Sequence, residues 1–373
     1  GAEFSEIMSN YLKERFDTFV WRGESYLCFV EKAIRSLKIG GLFGYIIPDT
    51  YLNLGFTQSL RSFLLKNTTL RELVLLPSNV FMDVTVDTTL LFAERMTEVD
   101  TFHESNVFIK TFNKKATNID INQPSRSFSI PTSVWFEQNS FNVHSNQDEM
   151  QLMSKIEKYA FKLKDLCELF YGIKVYQIGK GKPPQTKEIR DSKPFTSEKK
   201  IDNDFLPFFD GKHIGRYQLF WNNNNWLRYG PWLAEPRFPE KFVGEKILIR
   251  KIVGKTLIAT YVPETSYCNT LVYVLKINSG NQLDYTFLLG ILNSKFIGWY
   301  FRKKFQISDE DTFPQILIRD ISQFPVPKID THRHDHVISL VDQMLSLHKQ
   351  LQAANTPQDK TSLQRQIEAA DRR

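Results

Sequence analysis

The chain has 373 residues, 42% hydrophobic and 24% charged, with 48 Lys+Arg against 42 Asp+Glu. That balance excludes a disordered or collagen-like chain, and at ~150 residues per domain it predicts about two to three domains. No apolar run reaches the ~18 residues needed to cross a bilayer, and Glu3, Glu6, Glu14 and Asp17 stand where a leader would be basic and then apolar, so a soluble, cytoplasmic protein is expected.

Residues 24–38 place Leu27, Val30, Ala33, Ile34 and Leu37 at three- and four-residue spacing, which predicts a helix ended at Gly40-Gly41. Leu42 to Ile47 is a short apolar run stopped by Pro48, the pattern of a strand buried on both faces. Residues 57–66 read as a second helix and 70–76 as a second buried strand. Val84, Val86, Thr88, Leu90 and Phe92 then share one parity, with Thr85, Asp87, Thr89 and Leu91 between them, a β-rich stretch expected to form a hairpin with a neighbour. This order fits the C-terminal half of a doubly wound α/β sheet.

Residues 103–148 are polar and are expected to be irregular connections. A helix over 147–159 leads into a new domain, where short strands are predicted at 170–178, 246–252, 256–262 and 270–277. Residues 285–301 read as one apolar helix, and Phe324-Pro325-Val326-Pro327 marks an exit. From about His334 the chain is helical: Val337, Leu340, Val341, Met344, Leu345 and Leu347 form a stripe, continued by Leu363 and Ile367 after a break at Thr356-Pro357. The expected division is a partial α/β domain over 1–150, a mixed α/β domain over 151–330 and a helical hairpin over 331–373.

The charge is unevenly shared. Residues 151–330 hold 28 Lys+Arg and 19 Asp+Glu, leaving 20 against 23 for the rest. The positive charge therefore belongs to the middle, as an electrostatic footprint for nucleic acid would. Cys28, Cys167 and Cys268 are odd in number and far apart, against a disulfide framework or a CxxC zinc site. Cys28 falls among apolar helical residues and reads as core. The run His332-Arg333-His334-Asp335-His336 looks metal-like, but its spacing at a helix entrance reads better as a solvated terminus. No metal site and no nuclease constellation are expected in this chain.

Several phrases in fixed order resemble the adenine-specific DNA methyltransferases of type II restriction-modification systems with a TaqI-like specificity domain. They are ESYLCFVEKAIRSLKIGGLFGYIIPDTYLN (24–53), LVLLPSNVFMDVTVDTTLLF (73–92), LFYGIKVYQIGKG (169–181), DGKHIGRY (210–217), KILIRKIVGKTLIATY (246–261), YCNTLVYV (267–274), YTFLLGILNSKFIGWYF (285–301) and FPQILIRDISQFPVPKI (313–329). The resemblance implies transfer of a methyl group from S-adenosylmethionine to adenine N6 in duplex DNA. In that family a Gly-bearing motif and an acidic strand end bind the cofactor, and an Asn-Pro-Pro-Tyr-type tetrapeptide holds the base. Residues 1–12 resemble the segment directly after that tetrapeptide, so the chain is expected to be the C-terminal part of a longer enzyme. Alone it would bind DNA without methylating it, and its partners would be the upstream methyltransferase half and, if the parent also cleaves DNA, a nuclease domain or subunit. A non-catalytic specificity subunit is the alternative, though such subunits resemble a pair of recognition domains and only one is visible.

Methylating a base inside a duplex requires the base to leave the stack. Phe81 matches the aromatic that the resemblance assigns to the outer face of the flipped base; a core Phe at a strand start is the competing reading. Pro48 and Asp49 end a strand where α/β sheets place ligands, and Asp49 reads equally as a helix cap. Between Lys174 and Lys255 there are 17 Lys+Arg against 9 Asp+Glu, interleaved with aromatics around Trp221 and Trp226. Phosphate contacts need Lys and Arg, whereas base edges need forked donors and amides. Lys174, Lys180, Lys182 and Lys212 are candidates for phosphates, and Gln177, Arg216, Arg228 and Arg250 for base edges. Trp226 and Lys251 complete the set. Each lysine singly could be a solvated face, and Asn222 to Asn225 a simple hairpin loop.

Overall fold

A computed structural model describes residues 4–20, 24–78, 80–81, 86–97, 104–113, 116, 119–136, 140–305, 307 and 314–372. The chain divides into two compact units, residues 1–152 and 153–373. The expected strand positions Val84 and Thr85, together with Phe313, lie outside the described residues.

The first unit contains α1 (Glu6–Arg15), α2 (Ser25–Ser36), β1 (Leu42–Pro48), α3 (Gln58–Asn67), β2 (Thr68–Leu75), β3 (Thr88–Arg95), β4 (Asn106–Thr111), β5 (Arg126–Pro131) and the short α4 (Ser133–Phe136). Its five strands form one sheet in the order β1-β3-β2-β4-β5. Both β1 and β2 run antiparallel to β3, hence parallel to each other, and β4 is parallel to β2. This is the α/β half-sheet the sequence predicts. On β3 the inward parity is Thr89, Leu91 and Ala93, while Phe92 is exposed. The expectation that β1 is buried on both faces fails: it is the edge strand, and Leu42 and Ile46 are 74% and 50% exposed. The stretch expected to be irregular supplies β4 and β5, because a strand with one wet face, such as Asn106–Thr111 with Val107 and Ile109 inward and Phe108 outward, carries too many polar residues to stand out.

Helix α5 (Gln147–Tyr159) runs across the boundary between the units. The second unit begins with β6 (Ala160–Lys162), α6 (Leu163–Leu166), β7 (Cys167–Tyr171), α7 (Lys187–Ser192), β8 (Thr196–Ser197), β9 (Phe205–Phe209), β10 (Ile214–Gly215), β11 (Gln218–Leu219), β12 (Trp226–Arg228), β13 (Lys246–Arg250), β14 (Ala259–Val262), β15 (Tyr267–Cys268) and β16 (Val272–Ile277). After these come α8 (Tyr285–Asn293), α9 (Lys295–Lys304), α10 (Ile318–Ile321), β17 (Pro325–Pro327), α11 (Thr331–Ala353) and α12 (Pro357–Asp371). Two four-stranded sheets, β14-β13-β16-β7 and β15-β9-β12-β8, share one core that includes Phe208, Phe209 and Leu227 from the second and Leu248, Val272 and Val274 from the first.

The single helix expected over 285–301 is two. Ser294 is extended, ends α8 and caps α9, its Oγ accepting from the Ile297 N–H at 3.1 Å. Beside it, the buried Asn293 amide exchanges two 3.0 Å bonds with the Ala259 backbone, so the break continues the edge of β14. The C-terminal helices pack within the second unit: a Cβ on Gly290 of α8 would lie 2.7 Å from Val341 Cγ2 and 3.0 Å from Val337 Cγ1, so glycine lets α11 approach closely. The stripe read from the sequence is thus an intramolecular seam, with Val341, Met344 and Leu347 buried. No helix among the described residues is long and apolar enough to cross a membrane.

Candidate nucleic-acid interface

The second unit brings the loop that carries Gln177, Lys180 and Lys182 against the Trp232 segment, over which Arg228 also lies. After β7 the chain leaves its sheet, and Lys174 exchanges backbone bonds of 3.2 and 2.9 Å with Glu235. The loop beyond it is closed by main-chain bonds from Gly179 N to Gln185 O (2.9 Å), Lys180 N to Gln177 O (3.1 Å) and Gln185 N to Lys180 O (2.7 Å). Lys182 N donates to Pro231 O at 2.8 Å. Gly181 has a φ of +89, and a Cβ there would overlap the Trp232 carbonyl, so only glycine permits this approach. The Gln185 side chain, 2% exposed, completes the arrangement: its Oε1 accepts from Gln177 N, and its Nε2 donates to Val175 O and Trp232 O, each at 2.8 Å.

Strand β12 supplies the other wall. Its three residues alternate, so Leu227 enters the core while Trp226 and Arg228 share the opposite face. Arg228 lies over the Trp232 ring at 5.5 Å, and its 3.6 Å pair with the exposed Asp204 is loose. Trp232 leans on Phe195 (5.9 Å), which stacks on Tyr176 (5.8 Å), and the Tyr176 hydroxyl accepts from Phe195 N at 2.9 Å. Trp226 is pinned by its Nε1 bond to Asn223 O at 2.9 Å and by Trp221 at 5.0 Å, and Lys200 Nζ lies 5.8 Å from its ring centroid. The Asn222 to Asn225 stretch is a tight connection, with Asn223 at φ 56 and the Asn225 amide donating to Phe208 O at 2.8 Å.

A second cluster forms where Lys212, Arg250 and Lys251 meet beside the exposed Leu271. Lys251 N donates to Leu271 O at 2.8 Å, and a Cβ on Gly211 would touch Leu271 Cβ at 3.3 Å and Arg250 Cγ at 3.9 Å. Lys212 sits on a turn capped by Asp210, whose N–H is accepted by His213 Nδ1 at 2.9 Å. Burial holds the His213 imidazole below its usual range, as a ring nitrogen that must accept requires. Lys174, Lys180, Lys182, Lys212, Arg250 and Lys251 form no ion pair with any described residue.

Arg216 is not brought to either cluster. Its Nη2 bonds Asp371 of α12 at 2.7 Å and Asn293 O at 2.9 Å, so the structure turns it to the C-terminal seam instead of to a base edge. The sequence reading missed Gln185, Gly181 and Trp232. A Gly179-x-Gly181-x-Pro183-Pro184 stretch signals a tight loop, but the partners of the Gln185 amide at Trp232 are 47 positions away and leave no local trace.

In the first unit, Pro48 and Asp49 lie where the parallel strands β1 and β2 end. Asp49 N donates to Asp87 O at 2.9 Å, and Leu76 N to Thr88 O at 3.0 Å. Phe81, in the β2–β3 connection, is 39% exposed and is not a core residue. Asp49 is the first residue of a 3-10 turn (Asp49–Leu52), with Pro48 in the cap position. Among the described residues no group of His, Cys, Asp and Glu could hold a metal. His332 and His336 are exposed, and all three cysteines are buried and free, with burial pushing the Cys28 thiol up to about 11.

Residues 206–326 match the TaqI-like C-terminal specificity domain, and residues 3–81 match the Eco57I restriction-modification methylase. A Methanocaldococcus jannaschii protein named as a type II restriction enzyme and methyltransferase is 25% identical over 98% of this chain and 29% of its own length. The Escherichia coli type II restriction enzyme and methyltransferase Eco57I is 27% identical over 35% of this chain and 13% of its own length. The chain therefore spans less than a third of either relative. Among solved structures, the type IIL restriction-modification enzyme MmeI in complex with DNA shares the fold, with a TM-score of 0.52 at 10% identity over 98% of this chain and 51% of that one. These matches bear out the resemblance to restriction-modification methyltransferases carrying a specificity domain.

Proposed function

We propose that this chain, which carries an Eco57I-like methylase segment followed by a TaqI-like specificity domain, recognises a site in duplex DNA on behalf of an S-adenosylmethionine-dependent adenine-N6 methyltransferase. The observation that carries the reading is the clamped loop of the second unit. It gathers Lys174, Gln177, Lys180 and Lys182 beside Arg228 and Trp232, and its four lysine and arginine side chains include three with no ion-pair partner among the described residues. Unpaired cations on a rigid loop suit phosphates, and the amide and guanidinium beside them suit base edges. Lys212, Arg250 and Lys251 would extend the phosphate track. In the first unit, Phe81 is exposed in the β2–β3 connection, and Pro48 and Asp49 stand at the end of β1, the side of the sheet where an extruded base would be received.

S-adenosylmethionine would supply the methyl group. The described residues of the first unit offer the far wall of a base pocket, and the Gly-bearing and Asn-Pro-Pro-Tyr-type motifs are assigned to an upstream half of the parent. Edge strand β1 pairs with no described strand on its outer side, the edge at which further strands of a parent sheet would add. A nuclease domain or subunit would belong to the same parent, as the names of both relatives imply for those proteins.

The test is fluorescence anisotropy of labelled duplex DNA titrated with the chain at low and at moderate salt. Binding that weakens steeply as salt rises is expected, because each neutralised phosphate releases counterions. Absence of binding at both salt concentrations overturns the reading.

A further inference from the structure

We propose that Gln185 is a positioning residue for DNA recognition: its buried amide shuts the 177–185 loop and fastens it to Trp232, so that Lys180 and Lys182 meet the duplex as a preformed surface. The inference rests on the DNA-binding reading above and adds what makes the loop competent.

Residues 178–184 lie on the surface, Ile178 itself being 49% exposed, so no apolar side chain anchors the tip of the loop. Gln185 performs that task with polar contacts. A buried amide is costly unless its groups are bonded, and here the oxygen accepts from Gln177 N while both amide protons are given away, to Val175 O and Trp232 O. One side chain thus ties together the start of the loop, the strand-like segment before it and the Trp232 segment on which Arg228 rests. Only an amide supplies an acceptor and two donors from one planar group of this length. A glutamate keeps the shape and the acceptor but faces two carbonyls with a carboxylate; a methionine keeps the length and loses every polar contact. Neither change touches Lys180 or Lys182, whose side chains point to solvent. A loop ordered before binding spares the complex the entropy of ordering it, and so the amide should show in affinity as well as in stability.

The experiment compares the wild-type chain with Gln185→Glu and Gln185→Met, binding a fluorescein-labelled pool of randomised duplexes at low salt, at a temperature where melting curves show every protein folded. Amide hydrogen exchange across 177–186 is followed in the free proteins. Roughly tenfold weaker binding is expected, with faster exchange at the amides of Gly179, Lys182 and Gln185. In a cycle with Lys180→Ala/Lys182→Ala, the losses should be less than additive, because lysines on a loosened loop have less to lose. Faster exchange with unchanged affinity, or fully additive losses, overturns the positioning role while leaving DNA binding in place. A wild-type chain that fails to bind overturns the DNA reading and this one with it. If Gln185→Glu does not fold, Gln185→Met carries the same expectation.

Discussion

The second unit treats its cations in two ways. Arg216 is held by Asp371 and Asn293 O between α8 and α12, a pair joining residues 155 apart in sequence. Lys180 and Lys182 stand on a loop closed by several backbone hydrogen bonds, yet their ammonium groups have no carboxylate partner among the described residues. The first arrangement spends its charge on holding the fold together; the second leaves it exposed to solvent, where the proposed DNA contact would use it. A surplus of positive charge counted along the sequence contains both kinds, and only the partners tell them apart.

The largest effect should come from reversing the unpaired kind. The double variant Lys180→Glu/Lys182→Glu is expected to bind duplex DNA roughly 100-fold more weakly at low salt, for all sequences alike and with a shallower salt dependence, while its melting temperature barely moves. A loss confined to one base position would make these lysines readers of sequence instead of phosphate contacts. Next in size is the paired kind. Arg216→Ala removes the closer of the two cations on Asp371 and leaves it only the 3.6 Å pair with Lys295 in a half-buried seam, and about 2 kcal/mol of unfolding free energy should be lost, read by urea denaturation. DNA affinity measured where the variant is still folded should be unchanged; weaker binding there would erase the distinction between the two kinds.

The same distinction explains how much was legible in the sequence. The half-sheet was, because β1, β2 and the helices before them are local apolar patterns, and the split of charge toward residues 151–330 fell on the unit whose residues 206–326 match the TaqI-like specificity domain. Helix α11 was legible from its stripe, though the face of the protein it covers was not. The Ser294 break is hidden because the flanking apolar residues continue a helical pattern across it; the Asn293-Ser294 pair, both residues that favour caps over helix interiors, is the available signal. Arg216 and Lys180 look alike as letters. Their difference lies in Asp371 and in Gln185, the one remote in sequence and the other an amide whose partners are backbone atoms, which have no letter at all.

Lys246 takes the structural use of a cation to its limit, and its effect should be the smallest. It lies on β13, 0% exposed, with Nζ donating to Gly244 O at 2.9 Å and Glu264 O at 2.5 Å, so it closes the turn between β14 and β15 onto the strand. Burial lowers its pKa to about 8. An unfolded lysine keeps its proton to ~10.4, and between those two values the unfolded chain therefore binds more protons than the folded one. Stability from this group consequently rises with pH through that window and is at its lowest below it, the reverse of what a salt-bridged lysine would give. Buried thiols act in the opposite sense, Cys167 being pushed up to about 12, so the comparison must be made against Lys246→Met, in which they are retained. Between about pH 7 and about pH 8.5 the difference in unfolding free energy should move toward the wild type by somewhat less than about 1 kcal/mol. A flat difference would mean that Lys246 keeps its proton in the core, and that its two carbonyl partners solvate the full charge as well as water does.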